Sequence, residues 1–139
     1  MKAQFVLCSE TAILDQMSGG LSIINLFERL SVVGFPFFLP RMMVSALLAR
    51  TEEEPSAGQA VLTIHLDDQE VASVAVGFDF QGRLASRALL GVEGFVVPAP
   101  GRITVRLESG GDVLGAFVFE AAKMGGDLQL TVQSTISPS

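Results

Sequence analysis

The chain has 139 residues and a formal net charge of −6, and only 17% of its residues are charged, against about 25% in an average soluble protein. This length suits one domain. The acidity argues against a nucleic-acid-binding protein, which needs a basic surface to neutralise phosphates. The single cysteine excludes an intrachain disulfide and favours a reducing compartment, so we expect a cytoplasmic protein.

The N-terminal part alternates between apolar and polar residues with the period of two that strands show. Residues 2–8 and 21–27 are predicted strands, and the Ser-Gly-Gly sequence at 18–20 supplies a turn between them. The apolar stretch at the start is interrupted by Gln4 and ends before Ser9, which makes it too short for an export signal.

The apolar run at residues 30–49 is long enough to cross a bilayer as a helix. Arg41 near its middle would cost about 2.5–3.5 kcal/mol to insert, and Pro36 and Pro40 would break helical hydrogen bonds, so we expect no membrane span. The same prolines cannot donate to a ladder, and residues 35–40 are therefore predicted to be an extended loop between sheets. Residues 42–49 are apolar on both faces, which predicts a buried strand, with a short helix as the competing interpretation.

The alternation is clearest in the second half, where turn-forming residues separate short runs of β-forming residues. The predicted strands are residues 62–66, 74–80, 89–97, 103–107, 113–120 and 128–132. About eight short strands predict an all-β, antiparallel, two-sheet sandwich over residues 1–133, with a partly closed barrel as the alternative. Residues 134–139 are expected to form a frayed tail.

Three stretches carry a resemblance to known proteins: GLSIINLFERL at residues 20–30, the Phe35-Pro36 pair, and the Pro-Ala-Pro-Gly turn at 98–101 before an alternating strand. In this pattern the chain resembles a bacterial family of short uncharacterised proteins. Its members have G-K-L-S-[LI]-[IV]-G-[IV]-F-[DE]-R-[IL], then F-P, then P-x-P-G-x-Y-x-F. Asn25 stands where that family has glycine, and Ile103 where it has an aromatic residue. The resemblance implies a cytoplasmic β-sandwich and brings no activity or functional residue with it.

The residues that could support catalysis are few. His65 is the sole histidine, and a strand would place Thr63, His65 and Asp67 on one face. That arrangement leaves a hydrolase built around His65 as one hypothesis, although a polar stripe facing solvent explains it equally well. Cys8, in an alternating strand, is predicted to be a small buried apolar residue rather than a reactive thiol.

No metal or cofactor site is predicted. Calcium needs six to eight oxygen ligands, and the acidic residues nearest in pattern are Asp67, Asp68 and Glu70, with Asp15 or Asp112 as additions. No glycine-rich phosphate-binding loop occurs. We therefore expect no cofactor and no enzymatic activity.

The low charge and a mean hydropathy of +0.49 indicate apolar surface that a partner covers. The candidate contact residues are Phe35, Phe37, Phe38 and Leu39, which could instead form a plug in the core. The leading interpretation is a non-catalytic binding or assembly module that self-associates or binds a protein. The alternative is a carrier for a small apolar ligand, with a cavity between the sheets lined by Phe78, Phe80, Phe95, Phe117 and Phe119.

Overall fold

The computed structural model describes residues 1–124, and this part of the chain folds into strands joined by short turns. The strands are β1 (Lys2–Leu14), β2 (Leu21–Leu26), β3 (Arg29–Val32), β4 (Phe37–Ala49), β5 (Ala57–Leu66), β6 (Gln69–Asp79), β7 (Ala85–Val97), β8 (Gly101–Ser109) and β9 (Asp112–Lys123).

These strands form two sheets packed face to face. One sheet has four strands in the order β2-β1-β4-β7, and the other has five in the order β3-β9-β8-β5-β6. Neighbouring strands are antiparallel except for the parallel β3–β9 pair. Neither sheet closes on itself, so the predicted sandwich is confirmed and the barrel alternative is wrong. The described residues contain no helix that could span a membrane.

The core lies between the sheets and is built from alternate residues of each strand. Leu62 and Ile64 of β5 are fully buried, and Val105 of β8 lies opposite Ile64 in the register. Met42 and Val44 of β4 join the same cluster from the other sheet. The predicted inward face of β5 and β8 is thus confirmed, and each such side chain contributes about 1.5–3 kcal/mol by leaving water.

Several predicted boundaries differ from the structure. The first strand extends beyond residue 8 to Leu14, and β3 has no predicted counterpart. Residues 42–49 are strand throughout, so the helix interpretation is wrong. The predicted strand at 128–132 and the tail at 134–139 lie outside the described residues.

The prediction that residues 35–40 form a loop is also wrong from Phe37 onward, because β4 begins there. On one side β4 pairs with β7 from Phe37 to Ala49, whereas on the other side its pairing with β1 starts only at Met43. Pro40 therefore lies where β4 has a single neighbour. A residue without an N–H is tolerated on such an edge, because no ladder bond need be lost there.

Candidate binding surface

The four predicted contact residues divide between the core and the surface. Leu39 is buried, and Phe35 and Phe37 are partly buried and pack against the core. Phe38 points the other way and is 58% exposed, and its cross-strand neighbour Val96 is 50% exposed. Phe38 thus lies on the outer face, which is the face of the four-stranded sheet turned away from the five-stranded sheet.

The outer face is apolar where it spans β1, β4 and β7. In the register, Phe5 of β1 lies opposite Leu47 of β4. Ser45 of β4 lies between Leu7 of β1 and Leu89 of β7. The four large side chains are partly buried and stand outside the core cluster. An antiparallel sheet that faces water on one side normally carries polar residues there, so this face has the composition of a covered surface.

Ser45 shows how well these neighbours exclude water. Its side chain is fully buried, and its hydroxyl has no hydrogen-bond partner among residues 1–124. A buried polar group without a partner costs about 1–3 kcal/mol.

The β1–β2 hairpin extends the same apolar surface. Leu26 lies opposite Ser9 and Ile24 lies opposite Thr11 in the register, and Ile13 follows Thr11 by two residues on β1. All three side chains therefore lie on the hairpin face that continues the outer face. They are 49%, 40% and 43% exposed respectively. The outer face and this side of the hairpin together form one surface, which we call the apolar surface.

The tip of the hairpin folds back over the outer face. Arg87 lies in the same row as Leu47 and Phe5, and its Nη1 donates to the Gly19 carbonyl at 2.9 Å. Since β1 runs away from that row before it enters the hairpin, the contact requires the hairpin to turn back across the sheet.

The turn of the hairpin is held by Asp15. The Met17 N–H donates to its carboxylate at 2.9 Å and the Ser18 hydroxyl at 3.0 Å, and these hydrogen bonds lower the pKa of Asp15. Gly19 follows with a φ of 74°, a conformation that glycine adopts without strain.

A pair of opposite charges interrupts the outer face beyond Met43. Arg41 lies opposite Glu93 in the register, yet the guanidinium contacts the Met43 sulfur at 3.5 Å. Gly94 has a φ of 67°, and a Cβ there would lie 3.2 Å from the ring of Phe38. Glycine at 94 therefore permits both the turn in the backbone and the position of the ring.

The proposed catalytic residues are not assembled into a triad. Arg106 Nη2 lies 2.8 Å from His65 Nε2, and Thr63 donates to Glu108 Oε2 at 2.9 Å. Because a guanidinium can only donate, His65 Nε2 must accept this hydrogen bond. Asp67 instead pairs with the Arg102 backbone, whose N–H lies 3.1 Å from Asp67 Oδ1.

No group of three or more histidine, cysteine or acidic residues within residues 1–124 is arranged to hold a metal ion. The acidic residues of the Asp67–Asp68 turn border an open cleft of about 600 Å³, together with Arg102 and Glu120. A cleft with this mixed charge gives no set of oxygen ligands for calcium.

Four of the five phenylalanines of the carrier hypothesis form two neighbouring pairs. Phe78 and Phe80 have ring centroids 5.7 Å apart, and Phe117 and Phe119 are 6.2 Å apart. Phe80 and Phe119 are each 2% exposed, and Phe95 is 8% exposed. Phe80 and Phe78 border different surface clefts, of about 420 Å³ and 160 Å³. The carrier function stays a prediction.

The apolar surface was not predicted from the sequence, although part of its pattern is present there. Residues 42–49 are apolar on both faces, and Phe5 and Leu7 alternate with Val6 and Cys8, which are also apolar. Such strands are typical of the interior of a sheet covered on both sides. Only the neighbours in the sheet reveal that the second set of apolar residues gathers on one face.

Comparison with known proteins gives a family but no activity. No curated protein sequence matches significantly. A glycosyl hydrolase family 2 member from Bacteroides cellulosilyticus DSM 14838 is similar over 73% of this chain, at 14% identity and a TM-score of 0.38. The chain corresponds to only 17% of the length of that protein, and the likeness carries no argument about function. The family model of DUF6941, a family of unknown function, matches residues 4–122, and the chain therefore belongs to that family.

Proposed function

We propose that this chain is a non-catalytic binding or assembly module and that the exposed part of the apolar surface, on the hairpin and around Phe38, is its contact surface. The observation that carries the proposal is the row of half-exposed apolar side chains on the hairpin, Ile13, Ile24 and Leu26, which is continuous with the outer face. Contiguous apolar surface of this kind marks sites of protein contact. Each 100 Å² of it removed from water favours association by about 2.5 kcal/mol before the costs of binding.

The exposed ring of Phe38 supports the same proposal. Aromatic side chains are enriched at interface centres because each buries a large area at a low cost in conformational entropy. Phe38 lies over Gly94, so its position is already restricted before a partner binds. Less entropy is then lost on association.

The surroundings of His65 support the non-catalytic part of the proposal. A general base needs a free lone pair within reach of the substrate proton. The Nε2 lone pair of His65 accepts from Arg106, and a guanidinium cannot take up a proton. Asp67, the carboxylate of the hypothetical triad, is engaged with the Arg102 backbone.

Site-specific photo-crosslinking in the native host tests this contact surface. A benzoylphenylalanine placed at Leu26 or at Phe38 samples the proposed surface. The same group at Val118 or at Val33, which are 50% and 80% exposed, provides matched controls elsewhere on the molecule. We expect crosslinked products from positions 26 and 38 and few or none from positions 118 and 33.

Two outcomes would contradict the proposal. Equal yields from all four positions would mean that contact is unspecific, and no product at positions 26 and 38 would mean that the apolar surface is not a contact surface in the cell. Far-ultraviolet circular dichroism of each purified variant controls for unfolding, since all four positions are exposed and should tolerate the change.

A further inference from the structure

One edge of the four-stranded sheet is the long strand β7, which has a neighbour on one side only within residues 1–124. β7 pairs with β4 on one side, and no strand of residues 1–124 lies on its other side. Residues 85–93 contain no proline and no lysine, the residues by which edge strands usually avoid further pairing. The unpaired N–H and C=O groups of such an edge are a template for one more strand.

The two charged side chains of β7 indicate which strand would fit. Arg87 and Glu93 both lie on the outer face, opposite Leu47 and Arg41, and each is three residues from Leu90. An antiparallel strand of the same sequence, centred on Leu90, would place Arg87 of each copy opposite Glu93 of the other. Facing residues on such strands have Cβ atoms about 4.5–5.5 Å apart, close enough for an ion pair.

Both charged groups can still take a partner. In the described part of the chain Glu93 forms no ion pair. Arg87 donates Nη1 to the Gly19 carbonyl, which leaves other N–H groups of its five-donor fork. A symmetric contact would use these groups twice, once in each copy.

We infer that a second copy of this chain adds to β7 in antiparallel orientation, about a two-fold axis at Leu90. The inference rests on the proposed assembly function and adds a second contact, at the β7 edge, to the one proposed for the apolar surface. The contact joins two four-stranded sheets into one. On the inner face of this joined sheet, Leu90 of one copy lies opposite Leu90 of the other, and Ala88 of each copy lies opposite Val92 of the other. The apolar side chains that pack on the two cores therefore form one continuous layer.

The remaining edges do not offer this match. β6 is the other long edge strand, and its charged residues are Glu70 and Asp79, so two copies of β6 would bring acids to acids. β2 and β3 have six and four residues. β7 alone among these edges has charges of both signs in a self-complementary spacing.

Charge reversal with sedimentation velocity tests the pairing. The wild-type chain should sediment as a dimer of 14.7 kDa subunits. Arg87→Glu and Glu93→Arg should each lower the association constant by at least about tenfold, because two facing pairs become repulsive at once. An equimolar mixture of the two variants should restore a dimer, since both of its facing pairs are again of opposite charge.

Cysteine crosslinking tests the register. Arg87→Cys mixed with Glu93→Cys should form a disulfide dimer under mild oxidation, whereas each variant alone should not. In a dimer of two identical variants, the cysteine of one copy would lie six residues along the strand from the cysteine of the other, a distance of about 20 Å. Cys8 does not compete, because it is fully buried.

Gly91→Lys adds a lysine to the edge strand without changing Arg87 or Glu93, and a Cβ at 91 meets Met43 at an ordinary 3.7 Å. A charged lysine on an edge strand disfavours pairing with a further strand. Gly91→Lys should abolish the dimer, whereas Gly34→Lys, in open space, should not. A wild-type chain that stays monomeric, or a dimer indifferent to charge reversal and to Gly91→Lys, would overturn the inference. Either result would leave the crosslinking at positions 26 and 38 to decide the proposed function separately.

Discussion

Cys8 lies on the inner face of β1, where the opposite sheet leaves it no contact with water. Burial disfavours the thiolate and raises the pKa of the thiol from its ordinary 9.0 to about 12. The thiol therefore stays protonated at every pH at which the protein would normally be studied. This is the chemistry of a small core residue and not of a nucleophile.

A dependence of stability on alkaline pH follows from this shift. Below pH 9 the thiol is protonated in both the folded and the unfolded chain, so its contribution to stability is complete. Between pH 9 and 12 only the unfolded chain loses the proton, and the free energy of unfolding should fall by up to about 1.4 kcal/mol per pH unit. Urea unfolding at pH 8 and pH 10.5 measures the fall.

Cys8→Ala isolates the thiol from the other groups that titrate in this range. Its stability should be lower at pH 8, because it leaves a small cavity, but should decline less toward pH 10.5 than that of the wild-type chain. Parallel declines in the two proteins would show that the thiol is not responsible.

At the scale of elements, the two sheets approach closely where β1 crosses β9. A Cβ on Gly115 of β9 would lie 2.8 Å from the Cβ of Ala3 and 2.9 Å from a methyl group of Val6. The Ala3 Cβ is fixed to the β1 backbone, and the Val6 methyl group can move only by a change of χ1, which β-branching restricts. Glycine at 115 thus sets how closely the sheets pack there.

Gly115→Ala should consequently destabilise the protein by about 1–3 kcal/mol, the usual cost of overpacking a core. Gly77→Ala is the matched control in edge strand β6, where a Cβ would meet Gln59 at 3.6 Å. The control should be neutral or stabilising by about 0.5–1 kcal/mol, because alanine restricts the unfolded chain. Urea denaturation measures both, and a neutral Gly115→Ala would show that β1 shifts to make room.

At the scale of the whole molecule, the two sheets of residues 1–124 bury their residues in one core, and neither has a core of its own. Met42 from the four-stranded sheet and Leu62 from the five-stranded sheet belong to the same buried cluster and are fully buried. A chain with one core is expected to unfold in a single transition. Loss of packing on either side should then weaken both sheets.

Met42→Ala and Leu62→Ala should each lower the global stability by about 2–5 kcal/mol. Amide hydrogen exchange should show the same loss of protection in the most stable amides of β4 and β5 in both variants. The comparison is made at one protein concentration, since self-association would add to the apparent stability. A loss confined to the mutated sheet would show that the sheets unfold separately.

Period-two alternation by itself determined the strands β5 to β9 and the inward faces of β5 and β8. Leu62 and Ile64 are the clear case, because an alternating strand that is half solvated has only one way to bury its apolar side chains. The family resemblance, from GLSIINLFERL and the two proline motifs, is likewise borne out by the match over residues 4–122. These inferences needed only local patterns.

Tertiary structure decided the features that depend on which strands become neighbours. Pro40 can lie within a strand because β1 reaches β4 only from Met43 onward, and nothing near Pro40 in the sequence signals that. Phe38 is exposed while Phe37 and Leu39 turn inward, a division that a loop interpretation could not assign. The apolar surface likewise arises only when β1, β4 and β7 lie side by side and the hairpin folds back, because pairing between distant segments is set by the packing of the whole core.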